Sequence, residues 1–197
     1  MKNTKDLIEL QSLIEKEEKE VRLKNSGLPP RFYKPQEFIV DQGNAKAVDL
    51  VKKFIGGKIN GVFLYGGVGT GKTLLTSKIL HEYDWKSARF VSVPKLLAEL
   101  RDTFNNKDKS CMRIVENLVA CELLILDDLG AEKVSDWTVE ILYLIVNGRY
   151  ENMKKLIVTS NCPPRLLSQR LSDRIISRIM EMCQMAKITS ADRRQYV

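Results

Sequence analysis

The stretch GVFLYGGVGTGKTLL, residues 61–75, places an apolar run, a glycine-rich turn and the opening of a helix end to end. Gly66, four intervening residues and then Gly71, Lys72 and Thr73 satisfy the spacing G-x-x-x-x-G-K-[ST] between a strand and a helix. Glycine lets the backbone fold tightly enough for successive N–H groups to converge on phosphate oxygens. The helix that follows adds the positive end of its dipole. In this pattern Gly66, Gly67, Val68, Gly69, Thr70, Gly71, Lys72, Thr73 and Leu74 cradle a nucleotide. Lys72 neutralises the β- and γ-phosphates, and the Thr73 hydroxyl serves a magnesium ion, so ATP and Mg²⁺ are the expected cofactors.

Outward from that loop, apolar runs alternate with helical patterns. Strand-like runs fall at 61–65, 88–93, 122–126, 155–160 and, more weakly, 186–189. Helical stretches fall at Lys72–Leu80, Pro94–Phe104, Ser110–Val119, Asp136–Tyr150 and Pro164–Met182. Continuous apolar strands separated by helices predict a parallel sheet covered on both faces, a three-layer, doubly wound α/β fold. Ahead of it, residues 4–24 read as a charged amphipathic helix with Leu7, Leu10, Ile14 and Val21 near one stripe. Gly27 and the Pro29–Pro30 pair end that helix. The expected organisation is therefore a helical arm over residues 1–27 and an ATPase domain over 28–197.

Bulk properties agree with one globular unit, since 44% of the 197 residues are hydrophobic and 29% charged. The net charge is +7, and from Pro163 to Val197 seven basic residues face three acidic ones. Such an excess suits a partner that carries phosphates. Four cysteines without a C-x-x-C pair, and a lone histidine at His81, argue against a zinc site or a disulfide framework. No signal-peptide core and no membrane-length apolar run is visible, so a cytoplasmic protein with reduced thiols is expected.

LILDDLG, residues 124–130, ends a second apolar run on two adjacent carboxylates. A phosphate-loop protein takes a metal-holding carboxylate from such a strand end, which is Asp127 here. Asp128 follows, and strand alternation predicts that it points elsewhere, where it can orient and polarise an attacking water. Asp127 is thus the metal residue and Asp128 the catalytic one.

Taken in order, the Gly66–Thr73 loop, LILDDLG and VTSN resemble an AAA+ ATPase. GLPPRF, DDLGAE, TSN and LSDRIISRI narrow the resemblance to the DnaC/DnaI helicase loaders and the related IstB transposition helpers, from Gly27 onward. The resemblance implies that Asn161 senses the γ-phosphate and helps to place the water. It implies that Arg178, with Arg174 as second candidate, is an arginine finger reaching a neighbour's ATP, so that hydrolysis needs self-association into an oligomer. Asp128 stands where most AAA+ proteins have glutamate. The chain ends soon after its last strand, which implies that the C-terminal helical lid is lacking and leaves Arg193 as a guess for a second sensor. Its N-terminal extension is shorter than the helicase-binding domain of typical loaders.

Lys95, Arg101, Lys107, Lys109 and Arg113 surround the two helices after the second strand, a region that lines a single-strand channel in loaders. Phe32 and Tyr33 are expected to pack in the core or at the adenine edge. The functional expectation is an ATP-hydrolysing loader acting with a replicative helicase and single-stranded DNA. The alternatives are an IstB-like transposition helper, a monomeric phosphoryl-transfer enzyme and a non-enzymatic ATP-binding interaction module.

Overall fold

A computed structural model describes residues 2–82, 85, 87–103 and 110–192, and within them all side chains but those of 2–10 and 12. Five strands, β1 (Gly61–Gly66), β2 (Ala88–Ser92), β3 (Leu123–Asp127), β4 (Lys155–Ser160) and β5 (Gln184–Ile188), form one sheet in the order β2-β3-β4-β1-β5. Every pairing is parallel. Among the described residues eight α-helices connect or precede them: α1 (Lys2–Ser26), α2 (Ala45–Ile55), α3 (Lys72–Glu82), α4 (Val93–Asp102), α5 (Cys111–Ala120), α6 (Asp136–Glu151), α7 (Pro164–Arg170) and α8 (Asp173–Met182).

The period-2 alternation of side chains divides the core in two. Phe63, Leu124, Leu126, Leu156 and Val158 face one side and pack with α4 to α8. Val62, Leu64, Leu123, Ile125 and Ile157 face the other and pack with α2, α3 and the last turns of α1. Both faces are dry, which is why the strands read as unbroken apolar runs. Leu23, Leu28 and Phe32 lie in this second cluster, so the end of α1 and the turn after it are seated on the sheet. Phe32 is therefore a core residue, with Tyr33 packed against the same cluster.

The fold is the expected one, with two departures. The stretch 164–182 is two helices, because Ser172 takes an extended conformation (φ 176°, ψ 142°). Its hydroxyl accepts from the Arg174 amide at 3.1 Å and starts α8 afresh. The other is α2, which sequence reading did not single out. It buries Ala47, Leu50, Val51 and Phe54, one stripe at helical spacing, against the second face.

Arg149, on α6, is wholly buried. Its guanidinium donates to the carbonyls of Leu118 (2.6 Å), Val119 (3.2 Å), Cys121 (3.1 Å) and Glu122 (3.4 Å), and also to that of Lys155. The first two are carbonyls that the C-terminus of α5 leaves unpaired, at the negative end of its dipole. One cation thus fastens α5, α6 and the starts of β3 and β4. All four cysteines are free thiols. Among the described residues no helix is long and apolar enough to cross a membrane.

Candidate nucleotide site

The sheet order sets the carboxyl ends of β1, β4 and β3 side by side, where ligands bind in open parallel sheets. Residues 67–71 connect β1 to α3. Gly66 passes so close to β5 that an added β-carbon would lie 2.1 Å from the Ile188 carbonyl oxygen, so no other residue fits. Lys72 is only 5% exposed. Its ammonium donates to the carbonyls of Gly66 (2.9 Å) and Gly67 (2.7 Å) and to Asn161 Oδ1 (2.8 Å). The lysine of β1's loop and the amide beyond β4 are therefore joined directly. On the outer side of the loop, the Asp192 carboxylate lies against Gly69.

Asp127 is the last residue of β3 and is 5% exposed. Thr159 Oγ1 donates to its Oδ1 at 2.6 Å, and Thr73 Oγ1 lies 3.1 and 3.2 Å from its two oxygens. Burial pushes the Asp127 carboxyl up to about 6, and the neighbouring Asp128 charge adds to that, while the Thr159 and Thr73 hydroxyls and Lys72 act in the opposite direction. A buried carboxylate next to a hydroxyl, both hard oxygen donors, fits a magnesium ion that keeps waters and phosphate oxygens for its other positions. Among the described residues no group of three or more His, Cys, Asp and Glu could hold a metal unaided.

Asp128 leaves the strand in a left-handed conformation, φ 59°. The strand alternation that the sequence suggested does not reach Asp128, because β3 ends at Asp127 and the next residue takes this left-handed turn. Aspartate is among the few non-glycine residues that tolerate it. The turn is held by the Asp128 amide, which donates to Thr159 Oγ1 at 3.0 Å. Thr159 thus contacts both acids, and sequence reading missed it: inside VTSN it looks like any strand threonine.

The two arginines of α8 differ sharply. Arg178 stacks on Tyr143 and Tyr150 of α6, its guanidinium carbon 5.1 and 5.6 Å from the ring centres. It also donates to Tyr143 Oη (3.4 Å) and the Arg174 carbonyl (3.3 Å). Arg174 is exposed. Lys95, Arg101 and Arg113 are exposed on α4 and α5, and Arg101 lies over the Trp137 ring at 5.2 Å. Lys107, Lys109 and Arg193 lie outside the described residues.

A second group, of which the sequence reading named only Val68, is apolar and exposed. Ile39 and Val40 are 69% and 57% exposed, and Val68 of the loop is 60% exposed. The segment carrying the first two is tied to the chain after β5. Thr189 N donates to the Gly43 carbonyl (3.0 Å), and Ser190 Oγ donates to Asp41 Oδ1 (2.7 Å).

Residues 31–185 match the model of the bacterial DnaA ATPase domain. The chain belongs to that family. This is an AAA+ lineage, as the ordered motifs implied. The chain is 28% identical over 172 residues to the chromosomal replication initiator protein DnaA of Mycoplasma genitalium, covering 84% of this chain and 39% of that protein. It is 26% identical over 137 residues to the replicative helicase loader DnaC of Escherichia coli K12, covering 68% of this chain and 56% of that one. The chain therefore spans well under two thirds of the curated relatives it matches. A solved structure of DnaA bound to AMPPCP and single-stranded DNA superposes with a TM-score of 0.71 at 26% identity, covering 83% of this chain and 51% of the other.

Proposed function

We propose that this DnaA-family ATPase domain binds ATP with Mg²⁺, hydrolyses it between copies of itself, and acts with a replicative helicase and single-stranded DNA as helicase loaders do. The observation that carries the reading is the convergence of Lys72, Thr73, Asp127 and Asn161 from three strand ends onto one point. In this reading residues 28–197 are the catalytic unit, and residues 1–27 are a helical arm whose end rests on that unit's second core face. The similarity to a DnaC supports the helicase, and the DNA-bound DnaA neighbour supports the single strand.

The residues divide the work by their chemistry. The amides of residues 67–73 and the Lys72 ammonium take the phosphates, for which Lys72 exchanges its loop carbonyls for phosphate oxygens. Ile39, Val40 and Val68 offer an apolar seat to the flat base. Thr73 and Asp127 hold Mg²⁺, which supplies charge neutralisation at the phosphates. Asp128, half-buried at the mouth of the site, accepts the proton of the attacking water, and Asn161 orients that water. Arg174 is the freer of the two arginines to enter a neighbour's site and offset charge on the γ-phosphate. Arg178 takes that place only by leaving its tyrosines. Lys95, Arg101 and Arg113 line the strand channel with their positive charge.

The test is native mass spectrometry with ATP and the host's replicative helicase, alongside phosphate release with single-stranded DNA. A nucleotide-dependent complex and concentration-dependent turnover are expected. No phosphate release under any combination of DNA and helicase overturns the enzymatic reading, and no complex overturns the partner.

A further inference from the structure

The loop from Asp128 to Glu132 is held at almost every backbone amide. The Leu129 amide donates to the Thr159 carbonyl at 2.9 Å, and the Ala131 amide to the Asp128 carbonyl at 3.2 Å. Ser160 Oγ donates to the Leu129 carbonyl at 2.5 Å. The Gly130 amide is different, because its partner is a charged side chain. Both carboxylate oxygens of Glu132 accept from it, at 2.9 and 3.1 Å. Glu132 is itself only 5% exposed.

Gly130 sits at φ 89°, and an added β-carbon would meet Leu167 of α7 at 2.3 Å. That glycine is therefore pinned from above by α7 and from the side by Glu132. Arg170, also on α7, donates to the Glu132 carbonyl at 3.4 Å, so its hydrogen bond leaves the carboxylate to the backbone amides of the loop. Three helix starts close their first amides with neutral serine hydroxyls, at Ser110, Ser135 and Ser172, whereas the Asn44 amide, like that of Gly130, goes to a carboxylate, Asp41 Oδ1 at 3.1 Å. A buried carboxylate is a costlier partner than a hydroxyl. Burial indeed pushes the Glu132 carboxyl above the usual carboxylate range, with its own backbone amide first, then the Gly130 amide, Arg170 and the Ala131 amide acting against it.

We propose that Glu132 is a positioning residue for Asp128: by clamping the Gly130 amide with both oxygens, it fixes the left-handed turn that aims the Asp128 carboxylate. This rests on the hydrolytic reading of Asp128 given above. Glu132 touches no reacting atom in this scheme. Its effect is geometric, and a carboxylate displaced by about an ångström loses on the order of a hundredfold in rate.

The experiment compares Glu132→Ala, Glu132→Gln and Asp128→Asn in the full chain, measuring nucleotide affinity, single-turnover hydrolysis with single-stranded DNA and helicase, and melting temperature. Glu132→Ala is expected to lower the hydrolysis rate tenfold or more, on the order of the misplacement effect, with nucleotide affinity within about twofold of wild type. Glu132→Gln keeps one acceptor oxygen and should recover much of the rate. Wild-type hydrolysis in Glu132→Ala, with Asp128→Asn stalled, overturns this inference alone. Equal failure of both Glu132 variants in affinity and melting also overturns it, because that is the pattern of a purely structural residue. Wild-type hydrolysis in Asp128→Asn overturns the reading of Asp128 itself.

Discussion

Asp127→Asn should make the metal-free protein harder to melt while ruining its use of magnesium. At neutral pH the folded chain holds Asp127 ionised, although burial has moved its pKa from 3.8 to about 6. At about 1.4 kcal/mol per unit, that shift corresponds to roughly 3 kcal/mol of unfavourable charge burial. The folded-state value lies above the unfolded one, so between about pH 4 and 6 the folded chain binds more protons than the unfolded chain. Stability from this group therefore falls as pH rises through that window and stays lowered above it. Asparagine keeps the shape, offers an oxygen to the Thr159 hydroxyl and turns its NH₂ toward Thr73, whose hydroxyl can accept. We expect a gain of about 2 kcal/mol, or about 4–8 °C in melting temperature for a domain of this size. The measurement is thermal melting by circular dichroism in chelator, at about pH 7.5 and again near pH 4, where the advantage should shrink as wild-type Asp127 takes up its proton. A variant that melts no higher than wild type at neutral pH in chelator would refute the reasoning. With ATP and Mg²⁺ added, wild type should gain stability and Asp127→Asn should gain little.

Four further outcomes follow from the same geometry. Because a proton competes with the metal at Asp127, Mg²⁺-dependent nucleotide affinity should weaken as pH falls below about 6, which titration calorimetry across pH would detect. Asp128→Asn should retain ATP with near-normal affinity and stall phosphate release, whereas failure at the binding step would deny the two acids separate tasks. Arg149→Met should cost about 3–5 kcal/mol in denaturant unfolding, since five carbonyls, those of Leu118 and Cys121 buried, lose a shared partner; a loss under about 1 kcal/mol would show that they find others. Arg174→Ala should leave the melting temperature unchanged and abolish concentration-dependent turnover, while Arg178→Ala should lower the melting temperature through its lost tyrosine contacts.

The sheet was legible in the sequence because its strands are buried on both faces, which leaves apolar runs that little else produces. The phosphate loop was legible because its glycines are imposed by backbone geometry, as the Ile188 carbonyl beside Gly66 illustrates. What escaped was tertiary in origin. AKAVDLVKKFI has the stripe of a buried helix, but it is short and its three lysines dilute the apolar pattern. Ser172 interrupts a continuous helical pattern by capping the next amide, a choice that periodicity does not record. Asp128 was expected to follow the strand alternation, yet it stands just past the end of β3 in a left-handed conformation. The difference between Arg174 and Arg178 depends on two tyrosines of another helix, and no spacing along α8 encodes it. Glu132 was quoted inside DDLGAE without a task, because a carboxylate serving a backbone amide two residues away leaves no pattern of its own.

Thr159 has one hydroxyl proton and spends it on Asp127, while a lone pair of the same oxygen takes the Asp128 amide. The two acids are thereby geared through a single atom. A displacement of either acid therefore bears on the hydrogen bond that the Thr159 side chain makes to the other. Thr159→Val would keep the volume and cut this linkage. It should leave a site in which cation capture and water activation each persist but no longer keep time with one another.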